Sequence, residues 1–363
     1  MLQKGKANIL IDGQFGSTGK GLLAGFIYEK NKGKIDVAVT NAAPNAGHTH
    51  YDETGKKIVA KHLPMTGILE EDSIIYLNAG AVINIDTFKE ELDAYVDQPG
   101  RVYVHPRAGI ITEQDITNER DPSSTTAKLS STQSGVGSAL ANKIMRKKGA
   151  VAKDYPDFFE NVCGVNIAKM DLNSCMKKGL TVLIEVPQGI GLGLNEGYSY
   201  PYCTSRNVSV SQALADANVY PSFLGNVFMS LRCHPIRVGN LKDENGQEIG
   251  YSGPFYPDSY ETTFEALEQE AELTTVTQRV RRIATFSEEQ IKSAFVGNYP
   301  THIFLNFANY IQEGELSKFL YEVYDFIDNM GVVHVKPEDF FVGLGKYTRD
   351  IYPLTHFLDL SDY

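Results

Sequence analysis

The sequence lacks the features that define several large classes of protein. It has no run of 18 apolar residues and no amino-terminal segment in which basic residues precede an apolar stretch, so nothing in it predicts a membrane span or a secretion signal. It also lacks a basic excess. Because 45 Asp and Glu outnumber 34 Lys and Arg, the net charge of −11 argues against non-specific binding to nucleic acid. We therefore expect a cytoplasmic protein with neither a membrane nor a nucleic acid as its partner.

Cysteine is scarce, and its spacing excludes the usual metal and redox motifs. The four cysteines, Cys163, Cys175, Cys203 and Cys233, form no C-x-x-C pair and no zinc-binding pattern. Proteins of a reducing compartment keep such thiols free. The sequence therefore predicts four free thiols and no zinc site.

Internal repeats, low-complexity tracts and clear linkers are also absent, and a chain of 363 residues with 42% hydrophobic content can bury a large core. Strands are expected at 7–11, 35–39, 73–77, 101–104, 181–186, 226–231, 302–307 and 331–335. Helices are expected at 19–30, 86–95, 137–148, 208–218, 287–295 and 316–329, with Asp86 as the N-cap of the second. Apolar strands that alternate with helices predict an α/β fold with a mainly parallel central sheet flanked by helices.

Two stretches, 112–138 and 239–261, are polar and loop-like. Long irregular loops in a compact α/β protein are more often functional than idle. We therefore expect one domain, spanning residues 1–363, with functional loops inserted around these two stretches.

The first predicted strand leads into the stretch ILIDGQFGSTGKG at 9–21. A strand, a glycine-rich turn and a helix in this order direct backbone N–H groups at an anion, and Lys20 adds a positive charge. The common pattern G-x-x-x-x-G-K-[ST] is nevertheless broken twice. Gln14 replaces its first glycine, and Gly21 replaces the hydroxyl that holds magnesium. The stretch predicts a phosphate-binding loop, rather than an ordinary tight turn, and counts against an ordinary P-loop ATPase or kinase.

A second polar stretch, NAAPNAGHT at 41–49, follows the second predicted strand. Asn45, Gly47 and His48 place an amide, an exposed carbonyl and an imidazole on one short loop. A lone histidine is more often a packing or surface residue than a catalytic one. The position of His48, in the loop after the strand next to a phosphate loop, favours a role in the site.

With both loops in view, the sequence resembles the adenylosuccinate synthetase family, whose loops read G-x-Q-W-G-D-E-G-K-G and N-A-G-H-T. Further matches follow in family order: EVPQG at 185–189, YPYCTS at 200–205, RVG at 237–239, GPF at 253–255 and TVTQRVRR at 275–282. Each match alone is weak, but together they are specific. The resemblance implies a ligase that forms a C–N bond in two steps. The γ-phosphate of a nucleotide moves to the 6-oxygen of a purine monophosphate, and the amine of L-aspartate then displaces it.

The resemblance also implies a role for individual residues. Those expected in catalysis are Ser17, Lys20, His48 and Gln188. Those expected to bind the nucleotide phosphates are Gly16, Ser17, Thr18, Gly19, Lys20, Gly21, Gly47, His48 and Thr49, with Ser17 and the Gly47 carbonyl holding Mg²⁺. Those expected to bind the purine monophosphate are Ser17, Asn45, Ser131, Thr132, Arg146, Gln188, Thr204, Val238 and Gly239, with Arg146 reaching the neighbouring site of a homodimer.

Two further groups complete the assignment. L-aspartate is expected to contact Thr275, Val276, Thr277, Arg279 and Arg281. The nucleotide base is expected to contact Asn306, Phe307, Ala308, Asn309, Gly343 and Gly345. The planar guanidinium of arginine suits the binding of a carboxylate.

Departures from the family pattern bear on the substrates. Ser17 replaces the family's aspartate, which acts as general base at purine N1 and binds Mg²⁺, and Thr18 replaces a glutamate. The shorter Ser17 leaves room for the 2-amino group that guanine carries next to N1. Asn306 and Ala308 replace the K-x-D pair that reads the guanine of GTP. A site that has lost those hydrogen bonds has no reason to prefer GTP, so an adenine nucleotide is expected.

These departures resemble the viral branch of the family, which joins dGMP to L-aspartate with ATP or dATP. Its product, N6-succino-2-amino-2′-deoxyadenylate, is a precursor of 2-aminoadenine in phage DNA. Two alternatives remain open at this point: an ordinary enzyme of the family that acts on IMP, and a purine-nucleotide-binding protein without turnover. The sequence also leaves open what accepts the N1 proton and whether deoxyribose is preferred.

Overall fold

A computed structural model describes residues 1–274 and 278–358. Its largest sheet has ten strands. In spatial order they are Ile351–Pro353, Phe340–Gly343, His302–Asn306, Leu224–Arg232, Ala7–Asp12, Val182–Glu185, Val37–Thr40, Ile74–Leu77, Val102–Val104 and Asn166–Ile167. Only the first pair in this order is antiparallel. The expected α/β fold with a mainly parallel sheet is confirmed.

Seven of the eight expected strands lie in this sheet, and the eighth, at 331–335, is wrong. Val333 and Val335 are buried in the core, but the segment has no ladder partner. Its apolar run is therefore explained by packing rather than by strand pairing, which a hydrophobic pattern alone cannot distinguish. The edge strand Ile351–Pro353 and its neighbour Phe340–Gly343, which follow it, were not expected.

The α-helices lie between the strands along the chain, and those in the two largest hydrophobic clusters cover the large sheet. They are Lys20–Lys30, Met65–Leu69, Ile85–Tyr95, Glu113–Arg120, Thr125–Lys128, Val136–Ile144, Leu172–Lys177, Val210–Asp216, Glu288–Val296 and Leu316–Asn329. The N-cap expected at Asp86 is wrong, because the Asn84 side chain accepts the Thr87 N–H at 3.0 Å and caps the helix. Within the described ranges, no helix is both long and apolar enough to cross a membrane.

The expectation of an irregular loop at 112–138 is wrong for most of its length. The stretch contains two helices, Glu113–Arg120 and Thr125–Lys128, and the first three residues of Val136–Ile144. Thr112 and Asp115 form a reciprocal capping box that starts the first of them. The stretch at 239–261 is closer to the expectation, since its regular structure is a short hairpin of Leu241–Lys242 with Glu248–Gly250 and the first residue of Glu261–Thr262.

The core lies on both faces of the large sheet because its strands are apolar on both faces. In the first strand Ile9 and Ile11 pack into one hydrophobic cluster, and Leu10 packs into the other. The first cluster includes Leu320 of the last long helix, and the second includes Leu23 of the first. Parallel strands covered in this way leave the carboxyl edge of the sheet for a ligand site.

Gly21 tests the packing of the first helix against the strand that starts at His48. A Cβ on Gly21 would lie 2.2 Å from the Thr49 carbonyl oxygen, and the facing atoms are backbone. We expect Gly21→Ala to lower the free energy of unfolding by about 1–3 kcal/mol, because the hairpin formed by His48–Tyr51 and Lys57–Ala60 must move. Urea denaturation measures the change. The control is Gly297→Ala, whose Cβ would meet no atom within 4 Å. Equal stability of the two variants would contradict the packing described.

Candidate active site

A cavity of about 220 Å³ lies at the carboxyl edge of the large sheet. Its walls come from the loops that follow the strands Ala7–Asp12, Val37–Thr40 and Val182–Glu185, together with more distant segments. The expected site residues that line it are Gly16, Ser17, Lys20, Asn45, Gly47, His48, Ser131, Thr132, Gln188, Thr204, Val238 and Arg281. Residues far apart in the sequence therefore meet at one site, as the ends of parallel strands allow.

The phosphate loop folds around a buried carboxylate that the sequence analysis missed. Asp12 accepts the N–H groups of Gln14 at 2.9 Å, Gly16 at 3.2 Å and Thr18 at 3.3 Å. It also accepts the Thr18 hydroxyl at 2.6 Å. The signal was present in the sequence, since Asp12 occupies the first glycine of the family pattern. The carboxylate fixes the shape of the loop without a ligand.

Lys20 and Ser17 both line the cavity. The Lys20 Nζ lies 3.2 Å from Asp12 Oδ2 and donates to the Gln188 carbonyl at 2.9 Å. Ser17 is exposed in the cavity, and its φ of 57° lies in the left-handed region, as does the φ of 67° at Gln188. Non-glycine residues in this region cluster at functional sites. The backbone conformation thus supports the choice of Ser17 and Gln188 as site residues.

His48 is oriented by a second buried carboxylate, that of Glu185. The His48 Nδ1 lies 3.4 Å from Glu185 Oε2, and Glu185 also accepts the N–H groups of Met65 at 3.1 Å and Thr66 at 2.7 Å. Burial lowers the pKa of His48, and the partly offsetting contact with Glu185 does not reverse the shift. A neutral imidazole that gives its Nδ1 proton to Glu185 leaves Nε2 for a ligand. Among the described residues, that Nε2 has no hydrogen-bond partner.

The arginines expected to bind aspartate lie where two cavities meet. Arg281 lines the 220 Å³ cavity and also a neighbouring cavity of about 890 Å³. Arg279 lines the second cavity, and its Nη2 donates to the carbonyls of Ser130 at 3.1 Å and Ser131 at 3.3 Å. Gly239 lines the second cavity as well. The expected aspartate residues Thr275, Val276 and Thr277 lie outside the described residues.

The residues expected to bind the nucleotide base fall into two groups, and Asn306 and Gly343 form the first. The Asn306 side chain is buried and its Nδ2 donates to the Thr18 carbonyl at 3.3 Å. A Cβ on Gly19 would lie 2.1 Å from that Nδ2, and a Cβ on Gly343 would lie 2.5 Å from the Asn306 Oδ1. Asn306 therefore supports the phosphate loop from beneath, and its contact with a nucleotide base stays a prediction.

The other four residues, like Asn306 and Gly343, are not among those that line the 220 Å³ cavity. Ala308 is buried, Asn309 is exposed, and a Cβ on Gly345 would lie 2.3 Å from an Asp350 carboxylate oxygen. The Arg232 guanidinium carbon lies 3.7 Å from the centre of the Phe307 ring.

Arg146 does not line the cavity of its own chain. It follows the helix Val136–Ile144, is exposed, and has a left-handed φ of 59°. Its neighbours Ile144 and Met145 are 73% and 71% exposed. A role for Arg146 in a purine site therefore requires a second copy of the chain.

The donors available for Mg²⁺ are neutral oxygens. The Ser17 hydroxyl and the Gly47 carbonyl line the cavity, and the Asp12 carboxylate is held by the loop. In the part of the chain that the structure describes, no three His, Cys, Asp or Glu side chains group together as a metal site. This donor set fits an ion that arrives on nucleotide phosphates with part of its water, as Mg²⁺ commonly does.

Comparison with known proteins places this geometry in context. The family described as Adenylosuccinate synthetase matches residues 9–161 and 150–315 of the chain. The chain is 33% identical over 361 residues to the N6-succino-2-amino-2′-deoxyadenylate synthase of Salmonella phage PMBT28, with 95% of this chain and 97% of that protein covered. It is 36% identical over 343 residues to the protein of the same name in Acinetobacter phage SH-Ab 15497, with 87% of both covered.

A solved structure is similar over almost the whole fold. The succinoaminodeoxyadenylate synthetase of Cyanophage S-2L, bound to dGMP and to dATP as an energy donor, superposes with a TM-score of 0.82. The two chains are 34% identical, and the match covers 96% of this chain and 95% of the other.

Glu185 provides a test of how His48 is oriented. We expect Glu185→Gln to lower kcat for aspartate-dependent phosphate release by about 10²-fold, because the amide cannot hold the Nδ1–H tautomer of His48 as firmly. The readout is steady-state release of phosphate.

The matched control is Glu91→Gln. Glu91 is another buried carboxylate that accepts three backbone N–H groups, those of Lys61, His62 and Leu63. The Glu91→Gln variant should lose about as much thermal stability as Glu185→Gln and keep its kcat. If the two variants lose kcat equally, Glu185 acts only through stability.

Proposed function

Because this chain belongs to the adenylosuccinate synthetase family, we propose that it is a ligase that joins L-aspartate to C6 of dGMP. ATP or dATP supplies the phosphoryl group, and the product is N6-succino-2-amino-2′-deoxyadenylate. The observation that carries this proposal is Ser17, an exposed neutral residue in the cavity where the family has an aspartate. Similarity to phage enzymes of that name, and to a relative bound to dGMP and dATP, supports it.

In the first step the 6-oxygen of dGMP attacks the γ-phosphorus of the nucleotide. A bond forms between that oxygen and phosphorus as the bond to the ADP (or dADP) oxygen breaks, and purine N1 loses its proton to water. Lys20 on the cavity floor and the start of the helix Lys20–Lys30 face the charge that develops on the phosphoryl group. His48 contacts the same group through its Nε2. Mg²⁺, when bound with the nucleotide at Ser17 and Gly47, supplies further charge neutralisation.

In the second step the aspartate amine attacks C6, and phosphate leaves with the former 6-oxygen. Arg281, which faces both cavities, is suited to bind a carboxylate of aspartate, with Arg279 beside it. Thr277 is expected to complete this clamp. Gln188, Asn45, Thr132 and Thr204 are expected to hold the purine monophosphate. Pre-positioning of the amine replaces an encounter in solution and lowers the barrier to attack.

The choice of guanine follows from the size and charge of the residue at 17. Guanine carries a 2-amino group next to N1, and Ser17 can accept a hydrogen bond from it where a larger carboxylate would occupy the space. The preference for an adenine nucleotide follows from Asn306 and Ala308, which replace the family's K-x-D pair, because Ala308 presents no carboxylate to a guanine base and the Asn306 amide is held 3.3 Å from the Thr18 carbonyl.

The enzyme is proposed to work as a homodimer in the cytoplasm, that of the host cell if the chain is viral. Arg146 is exposed beside the apolar side chains of Ile144 and Met145, a combination that suits a contact with a second copy. From there its guanidinium would bind the phosphate of dGMP in the partner's site. The four cysteines are all free, as expected in a reducing compartment.

The proposal is tested by phosphate release with Mg²⁺, L-aspartate and ATP, comparing dGMP with IMP. We expect turnover with dGMP and little with IMP. Turnover with IMP alone would mean that the chain is an ordinary enzyme of the family. Binding of dGMP without aspartate-dependent release of phosphate would mean a nucleotide-binding protein.

Ser17→Asp tests the residue that carries the proposal. We expect kcat/KM with dGMP to fall about 10-fold or more, because the larger side chain takes the space of the 2-amino group. Ser17→Asn is the control, since it matches aspartate in size without its charge. The asparagine variant should lose dGMP use as well, and only the aspartate variant should gain IMP use. Unchanged kinetics with dGMP in both variants would show that residue 17 does not select the purine.

A further inference from the structure

A buried ion pair lies beneath the phosphate loop, outside the residues assigned to any ligand. Arg232, the last residue of the strand Leu224–Arg232, is 0% exposed. Its Nη1 lies 3.3 Å from Glu272 Oε2, and its Nη2 contacts Glu272 Oε1. The pair is thus bidentate, the geometry that orients both side chains most firmly.

Arg232 holds the phosphate loop at two points. Its Nη1 donates to the Ser17 carbonyl at 3.0 Å. Its backbone N–H donates to Gln14 Oε1 at 2.9 Å, and its carbonyl accepts from Gln14 Nε2 at 3.2 Å. A single residue thus fixes both ends of the turn that contains the exposed Ser17. Movement of the Arg232 side chain would shift the Ser17 carbonyl.

Glu272 holds the segment expected to bind aspartate. Its carbonyl accepts the Arg281 N–H at 2.9 Å, and Leu273 and Val280 form an antiparallel bridge. Residue 272 therefore lies next to a backbone bridge that joins the described residues before 275 to those after 277, in the segment expected to bind aspartate. The Glu272 side chain reaches from this segment to Arg232.

The same pair reaches the stretch after the strand His302–Asn306. The Tyr310 hydroxyl donates to Glu272 Oε1 at 2.8 Å, and the Phe307 ring lies 3.7 Å below the Arg232 guanidinium. Burial pushes the pKa of Glu272 upward, but Arg232, Tyr310 and Arg281 outweigh it and hold the pKa below its usual value. In the described ranges, Glu272 is the one carboxylate in ion-pair contact with Arg232. A buried guanidinium without its partner is strongly unfavourable, so the pair is expected to stay closed.

We propose that the Arg232–Glu272 ion pair is a positioning pair that couples the aspartate-binding segment to the phosphate loop. The inference rests on the proposed function, because it assigns L-aspartate to the segment that Glu272 anchors. Neither side chain needs to touch a substrate. A ligand that orders one segment favours the bound form of the other through the pair, and this coupling is reciprocal. Saturating L-aspartate therefore tightens the binding of dGMP, and dGMP tightens the binding of L-aspartate.

The test is Glu272→Gln, which keeps the size and the hydrogen-bonding oxygen but removes the charge. We expect KM for L-aspartate at saturating dGMP and KM for dGMP at saturating L-aspartate to rise together, each about tenfold, equivalent to about 1.4 kcal/mol, while kcat changes less than about threefold. Titration calorimetry should show that L-aspartate tightens the binding of dGMP to the wild type and no longer does so in the Glu272→Gln variant.

Tyr310→Phe is the matched control, because it removes the hydrogen bond to Glu272 without removing a charge. It should raise KM for L-aspartate less than about threefold. Glu272→Asp, which keeps the charge on a shorter side chain, should restore part of the coupling and still decides the matter if the glutamine variant does not fold.

A fall in kcat and thermal stability with both KM values unchanged would overturn the proposal, since it would leave the pair a purely structural role. Persistence of the coupling in Glu272→Gln would overturn it too. Failure of the proposed function gives a different result, namely that the wild-type protein itself shows no aspartate-dependent release of phosphate.

Discussion

The site depends on one constraint, the burial of the Asp12 carboxylate at the end of a central strand. A carboxylate removed from water must be compensated by hydrogen bonds or opposite charge, and the phosphate loop supplies both. Backbone N–H groups and the Thr18 hydroxyl turn inward to Asp12, and Lys20 lies against it. The Ser17 carbonyl is held from the other side by Arg232. The loop is therefore organised before any phosphate binds.

Around this frame, carboxylates contact the residues that are proposed to bind the substrates. Asp12 pairs with Lys20, Glu185 contacts His48, and the Glu272 carboxylate pairs with Arg232 while its backbone carbonyl accepts the Arg281 N–H. Each is compensated by backbone N–H groups, an arginine or a lysine, so the negative charge of the protein is kept away from the bound phosphates. Charge stabilisation that is organised in advance costs no rearrangement during the reaction. The neutral Ser17 is consistent with this arrangement.

Local sequence patterns predicted the fold and the position of the site, but not the contacts that hold it. The alternation of strands and helices was sufficient for the parallel sheet, and the helix Leu316–Asn329 has the expected bounds. Family motifs identified the residues that line the cavity. The roles of Asp12, Glu185 and Arg232 were missed because they depend on tertiary contacts: Arg232 reaches Ser17 across 215 residues, and Glu185 reaches Thr66 across 119. Such pairings leave no periodic signal in the sequence.

The central claim is that phosphate leaves with the 6-oxygen of dGMP, and an isotope measurement tests it most directly. The protein is incubated with Mg²⁺, ATP, L-aspartate and dGMP that carries oxygen-18 at position 6, and the released phosphate is examined by mass spectrometry. The account predicts one oxygen-18 atom in each phosphate released and a purine product that has lost the label. Unlabelled phosphate, with the label retained on the purine, would contradict it.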